Sequence, residues 1–224
     1  MSNIDRTRAA YDTVAERYAD AFCDELERRP LERGLLDTIA NAVAHDHPGA
    51  MLADVGCAGG HVTRYLASRG ANVLGVDMAP RMIKVAHRRS PELRFQLGSF
   101  SDLGVDRGAW GGVVAMYSII HLPPADRLPA YRELSRVLRP GGWLLLSFHV
   151  SSAQFGPGDV NHLERFLGET VDLDGWFIDP HEVVQGLERV GFEIRARVDR
   201  EPLDDGEYPS RRCYLLARTR SNTM

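Results

Sequence analysis

The sequence predicts an α/β fold, with a mostly parallel sheet covered on both faces by helices, a helical segment ahead of it and an antiparallel pair of strands at its end. Three observations carry this. Between residues 51 and 148, short apolar runs alternate with stretches of helical periodicity, as in successive strand–helix–strand units. The first apolar run ends in a glycine turn that opens a helix, in MLADVGCAGGHVTRYL (51–66). The last two apolar runs, EIRARV and RRCYLLAR, are joined by a short connection without a helix, so they pair antiparallel at a sheet edge.

Residues 7–44 read as helical: Val14, Tyr18, Ala21 and Phe22 recur at helical spacing, as do Leu31, Leu35, Leu36 and Ile39. Pro30 suits the first position of a second helix, and HDHPGA (45–50) is a turn. The spacing then predicts a strand over 51–55, a helix over 61–68 stopped at Gly70, a strand over 73–76 and a helix over 80–89. A short strand follows over 93–97, and GGVVAMYSII (111–120) contains a fourth. A helix over 128–138 precedes the PGG of 140–142, which is expected to break the chain before a fifth strand over 143–148. PHEVVQGLERVGF (180–192) reads as a helix closed at Gly191. Residues 151–179 are rich in glycine, acids and aromatics; a connector of that length is often functional.

With 224 residues, 44% of them hydrophobic, the chain suits one large domain or one domain with an appendage. A net charge of -4 gives no polyanion footprint, so no nucleic-acid partner is expected. Cys23, Cys57 and Cys213 are too few and too dispersed for a disulfide framework or a zinc site. MSNIDRTRAAYD has no apolar signal core and no run reaches the length of a membrane span, so a cytoplasmic chain without a membrane partner is expected. His45 and His47 flank Asp46 on a short turn with no further ligand in view, so no metal site is expected.

A strand that ends in glycine and opens a helix points backbone N–H groups at a ligand, as phosphates and carboxylates require. An acid after the next strand, here Asp77, can accept from ribose hydroxyls. Both features suit any adenosine-bearing ligand. The glycine spacing separates the candidates: a dinucleotide fingerprint wants G-x-G-x-x-G, whereas here Ala58 and His61 replace its second and third glycines.

DVGCAGG (54–60) resembles motif I of the class I S-adenosylmethionine-dependent methyltransferases, DVGCGxG, with Ala58 as the departure. VLGVDMAPRMI (73–83) looks like that family's second motif and RFQLGSF (94–100) like its third, with serine where the family often has aspartate. WGGVVAMYSIIHLPP (110–124) is similar to FDxVxxxxxLHHLP, Gly111 replacing the aspartate, and VLRPGGWLLLS (137–147) matches the stretch before strand five. YDTVAERYAD (11–20) looks like the N-terminal segment that covers the bound cofactor. Six matches, in order along the chain, carry the resemblance.

The resemblance implies a Rossmann-like, doubly wound, seven-stranded sheet, mostly parallel with an antiparallel last strand, plus N-terminal helices. It implies residues 1–50 as a helical cap and 51–224 as the methyltransferase core, with 151–179 a substrate-binding insertion. S-adenosylmethionine is the expected cofactor and S-adenosylhomocysteine the product. The expected cofactor contacts are Asp54, Gly56, Cys57, Ala58 and Gly60 in the first motif, Asp77 on the ribose with Met78 against adenine, and Ser99 and Phe100 beside it. Met116, Tyr18 from the covering segment, and Arg29 toward the methionine carboxylate complete them.

His121, after the fourth strand on the ligand side, is a candidate general base, and Tyr11 a candidate catalytic partner. Tyr117, His149, His162 and Trp176 are expected around the acceptor, and Phe155, Phe166 and Phe177 of the insertion are further candidates for that pocket. The expected reaction is methyl transfer to an oxygen, nitrogen or carbon of a small molecule, read as a secondary-metabolic intermediate of a bacterium. The rival readings are methylation of RNA or protein, a non-catalytic cofactor-binding protein, and a nicotinamide-dependent oxidoreductase. Against the last, no Ser/Tyr/Lys set is visible, the sole lysine being Lys84.

Overall fold

The computed structural model describes residues 1–204 and 206–221. Helix α1 (Asn3–Phe22) begins four residues before the periodicity does, because Ser2 and Asp5 form a reciprocal capping box. Helix α2 (Pro30–Asp46) starts at its proline. The alternation follows as strand β1 (Met51–Val55), α3 (His61–Ser68), β2 (Val73–Asp77), α4 (Pro80–Arg89), β3 (Phe95–Leu97), β4 (Trp110–Met116), α5 (Pro124–Val137) and β5 (Leu138–Ser152). Strands β6 (Val160–Phe166) and β7 (Glu169–Trp176), helix α6 (Pro180–Arg189), β8 (Phe192–Arg200) and β9 (Ser210–Thr219) complete the chain.

The main sheet has the order β3-β2-β1-β4-β5-β9-β8. Neighbours from β3 to β5 pair parallel. β9 runs antiparallel to both β5 and β8, inserted between them. This is a doubly wound, Rossmann-like sheet. Alternate residues of each strand feed opposite cores, as the two-residue period of a strand dictates. Ala53, Val113, Leu144, Leu146 and Leu215 pack with Leu134 of α5 and Leu187 of α6. Their chain neighbours Leu52, Val114, Leu145 and Leu216 pack with Leu36 and Ile39 of α2 and Leu66 of α3.

Two readings of the sequence need correction. Residues 139–142 do not break the chain: the β4–β5 ladder passes from Leu138 to Trp143 across a bulge, within one strand. Helix α5 starts at Pro124, where proline's missing N–H costs nothing. Within the 151–179 segment, β6 and β7 pair antiparallel as a separate two-stranded sheet. Gly111, where the family pattern has aspartate, sits under α2: a Cβ there would meet the Ala50 Cβ at 2.7 Å.

Gly112 makes the same accommodation, since an added Cβ would lie 2.5 Å from Val43 Cγ2 and 2.8 Å from Leu52 Cδ1. Overpacking of that kind costs about 1–3 kcal/mol. Gly112→Ala should therefore lower unfolding free energy by about that amount in urea titrations, with an unchanged m-value.

Candidate active site

A cavity of about 260 Å³ opens at the carboxyl ends of the parallel strands, where open α/β sheets bind ligands. Its floor is built by the turns after β1, β2, β3 and β4, and its cover by one face of α1. The start of α5, at Asp126, Pro129 and Ala130, closes a side. No lysine or arginine stands among its lining residues.

The turn after β1 is shaped by its glycines. Gly56 has φ 82° and a Cβ there would lie 2.4 Å from the Ser118 Cβ; Gly60, at φ 81°, begins α3. Ala58 holds φ 46°, a left-handed conformation that a non-glycine residue adopts at a cost. Its N–H donates to Asp77 Oδ2 at 2.8 Å, and the Ala79 N–H donates to Asp77 Oδ1 at 2.9 Å. One carboxylate thereby joins the turns after β1 and β2 while each oxygen keeps a second lone pair. Burial pushes Asp77 up to about 6 against the pull of these hydrogen bonds. Asp54 lies deeper, accepts from Thr63 Oγ1 at 2.7 Å, and is raised by burial to about 7. Two buried acids thus stand at the glycine turn. The Cys57 thiol packs behind it with Ile83, Ala86 and Phe95, and burial raises it well above its ordinary value, so it is no nucleophile.

Helix α1 is seated directly on this turn. Ala10, Val14, Ala15 and Ala19 face inward, and a Cβ on Gly59 would meet the Ala19 Cβ at 2.7 Å. Asp12 accepts from the Arg81 N–H at 2.7 Å, supplying the cap that Ala79 cannot give to α4. Glu16 with Arg88 and Asp20 with Arg89 add ion pairs to α4. At the other side, Arg6 binds Asp172 and Asp174 of β7, each at 2.7 Å.

This seating brings Tyr11 and Tyr18 into the cavity wall. The Tyr11 hydroxyl lies 2.7 Å from His121 Nε2, while His121 Nδ1 lies 2.8 Å from the Asp174 carbonyl oxygen. A carbonyl can only accept, so Nδ1 carries the proton and the neutral ring's Nε2 accepts from Tyr11. Burial depresses the His121 pKa and raises that of Tyr11, which keeps both neutral near pH 7.

Of the residues singled out by sequence, Tyr11, Tyr18, Gly56, Ala58, Asp77 and Met78 line one cavity, and Ser99, Phe100, Met116, Tyr117 and His121 line it too. Asp54, Cys57 and Gly60 lie behind the turn, outside the lining. Arg29 is directed elsewhere: it is 4% exposed, with Nη1 3.0 Å from Asp204 and Nε 2.8 Å from Glu207. His149 stacks under Tyr117 with ring centroids 5.0 Å apart, donates to or accepts from Ser210 Oγ at 2.7 Å, and is pushed down to about 3 by burial. His162 pairs with Asp174 on the outer side of the hairpin, 2.8 Å away. Trp176 lies under Arg127, whose guanidinium carbon is 5.6 Å from its ring centroid. The last four residues are not in the cavity lining. Of the insertion's aromatics, Phe155 stacks on Phe177, ring centroids 5.2 Å apart, and Phe166 meets Tyr18 edge-on at 6.1 Å.

Several residues of the site were not singled out in the sequence. Ser118 supports Gly56 and donates to the Val55 carbonyl at 2.9 Å. Asn3, Ile4 and Thr7 extend the Tyr11 stripe; their spacing of three and four residues was the available signal. Next to the wall, Tyr117, which holds φ 51°, hydrogen-bonds Tyr214, and Tyr214 reaches Glu32. Glu32 pairs with Arg200, and Glu207 accepts from Arg200 at 2.7 Å while facing Arg29 and Arg212.

Comparison with known proteins agrees with this geometry. Residues 52–142 match the family model described as a methyltransferase domain. The chain is 34% identical over 203 residues to the ubiquinone biosynthesis O-methyltransferase of Xanthomonas campestris, covering 87% of this chain and 83% of that protein. Among solved structures, the magnesium protoporphyrin IX methyltransferase of Synechocystis, with bound S-adenosylmethionine, superposes with a TM-score of 0.70 at 18% identity, over 99% of this chain and 98% of that one. The geranyl diphosphate C-methyltransferase of Streptomyces coelicolor gives a TM-score of 0.64 at 16% identity, over 84% and 79% of the two chains. The fold and the cavity define a class I methyltransferase. The chain belongs to the S-adenosylmethionine-dependent methyltransferases of that class. Among the described residues no helix is long and apolar enough to cross a membrane, and no group of three or more His, Cys, Asp or Glu side chains could hold a metal ion.

Glu207 gathers three arginines in the network beside the cavity. Burial alone would raise its pKa, but hydrogen bonds from Arg200 reverse this and hold it at about 2. Its stabilising effect is complete above about pH 4.5 and is lost as pH falls toward 2. Glu207→Gln should destabilise the fold by about 3–5 kcal/mol at pH 7, since it leaves buried cations unpaired. The difference from wild type should shrink below pH 4 in urea unfolding.

Proposed function

We propose that the chain transfers the methyl group of S-adenosylmethionine to a nucleophilic atom of a small, enclosed acceptor, with a secondary-metabolic intermediate as its metabolic setting. The observation that carries this reading is the Asp77 carboxylate, fixed by two backbone N–H groups in the cavity wall beside the glycine turn. The residues present suit the cofactor. Asp77 offers its free lone pairs to the ribose hydroxyls, and Met78, Ser99 and Phe100 flank the adenine. The amino end of α3, which begins after Gly60, receives the methionine carboxylate. The negative charge of Asp54 and Asp77 favours a cationic ligand, and burial of these acids is better tolerated beside one. Tyr18 and Met116 close the pocket, with α1 as its cover. Arg29 is assigned no cofactor contact, because Glu207 and Asp204 hold it.

When bound, the cofactor supplies a methyl group already activated by its sulfonium. What the chain must do is orient the acceptor and exclude water, effects that together reach about 7–11 kcal/mol in favourable cases. Tyr11 and His121 manage the proton. A hydroxyl acceptor gives its proton to the Tyr11 oxygen as the Tyr11 proton passes to His121 Nε2 along the 2.7 Å hydrogen bond. The resulting imidazolium stays oriented by its Nδ1–H on the Asp174 carbonyl. A neutral histidine at pH 7 is what such a base needs. An enclosed cavity without cationic side chains supports a small acceptor over an RNA or protein chain.

Calorimetry should show S-adenosylhomocysteine binding that weakens as pH falls from about 7 through 6, as Asp54 and Asp77 gain protons. Asp77→Asn should weaken it about ten- to hundredfold, the worth of a charged hydrogen bond. With methyl-labelled cofactor, label should enter the small-molecule fraction of a cell extract; label in RNA or protein instead would reverse the acceptor assignment. For the labelled product, His121→Asn should lower kcat/KM by about 10²–10⁴ without changing cofactor affinity. The acidic limb of the wild-type profile should lie below about 6.5, because burial lowers the histidine pKa, and should vanish in the variant.

A further inference from the structure

The hydroxyls of the helical threonines have partners, with one exception. Thr13 and Thr38 donate to the carbonyls four residues back, Ala9 at 2.8 Å and Gly34 at 2.7 Å, and Thr63 donates to Asp54 at 2.7 Å. Thr7, on the same helix as Thr13, is 1% exposed and its Oγ1 has no partner among the described residues. A hydroxyl sealed from water without a partner is a standing cost to the fold, and isosteric valine would not incur it. Thr7 belongs to the cavity wall.

Its place along α1 says which end of the cavity it serves. Residues 3, 7 and 11 follow one another at four-residue spacing, so they share a stripe. Asn3 Nδ2 donates to Asp174 Oδ2 at 3.3 Å. Tyr11 donates to His121, which in turn holds the Asp174 carbonyl. Both neighbours of Thr7 on the stripe are therefore anchored to the His121–Asp174 unit, on the proton-accepting side of the site. The absence of lysine and arginine from the lining leaves an anionic group on the acceptor without a counter-charge.

We propose that Thr7 determines acceptor specificity: its hydroxyl hydrogen-bonds a second, uncharged polar atom of the acceptor, distinct from the atom that is methylated. The acceptor class is a molecule without an anionic group and with at least two hydrogen-bonding oxygen or nitrogen functions. This rests on the reading of the cavity as a methyl-transfer site, and that reading is tested separately by binding of S-adenosylhomocysteine to the wild-type protein.

The test uses protein saturated with S-adenosylhomocysteine and four probes, phenol, catechol, resorcinol and 4-hydroxybenzoate, with affinities read by ligand-observed NMR. At least one diol should bind about three- to tenfold more tightly than phenol, the worth of one neutral hydrogen bond, and 4-hydroxybenzoate should bind no better than phenol. Thr7→Val should erase the preference for the diol and Thr7→Ser should keep it. Both variants should retain wild-type affinity for S-adenosylhomocysteine, and ligand-free Thr7→Val should melt no lower than wild type. Equal or undetectable binding of the diols, tighter binding of the benzoate, or a preference that survives in Thr7→Val would overturn the proposal. So would a loss of S-adenosylhomocysteine affinity in Thr7→Val, which would place the hydroxyl on the cofactor.

Discussion

The carboxyl end of the sheet depends on one carboxylate held between two backbone turns. Asp77 accepts from Ala58 on one side and Ala79 on the other, so the loop after β1 cannot move without the loop after β2. That bond lets Ala58 persist at a positive φ, a local cost of the kind that surrounding structure must offset. The same hydrogen bonds oppose the burial that raises Asp77 to about 6, above the usual carboxylate range. The strained residue and the two raised acids, Asp54 and Asp77, lie together at the glycine turn.

Around that point the chain uses electrostatics differently on its two flanks. Helix α1 is held by exposed pairs to α4 and β7, which are individually weak and screened by salt. The glycine turn beneath it supplies the apolar contact. On the far flank, Glu32, Arg200, Glu207, Arg29 and Arg212 form a buried network in which each charge has a partner of opposite sign. The first arrangement suits a cover that admits ligand, the second a fixed wall that sets Tyr117 through Tyr214.

Much of this was legible in sequence because local spacing encodes it. The alternation of strands and helices follows from apolar runs and helical spacing, and the glycine turn and Asp77 are separated by one helix–strand unit. Whatever depends on distant pairing was not legible. Arg29 looks available near Pro30 until the hairpin tip, 175 residues away, brings Asp204 against it. The partnership of Tyr11 and His121 spans 110 residues. The β6–β7 hairpin hid because β6 has no buried position and the buried alternation of β7, Val171 and Leu173, is too short to announce a strand. The PGG before Trp143 was misread because glycine and proline mark bulges as well as breaks.

The most direct test of the account is a crystal structure of the chain with S-adenosylhomocysteine. It should show the ribose hydroxyls on the Asp77 carboxylate and the amino-acid end at the amino terminus of α3, with Tyr11 and His121 facing the sulfur. A ligand bound elsewhere, or one whose sugar lies away from Asp77, would contradict the account at its centre.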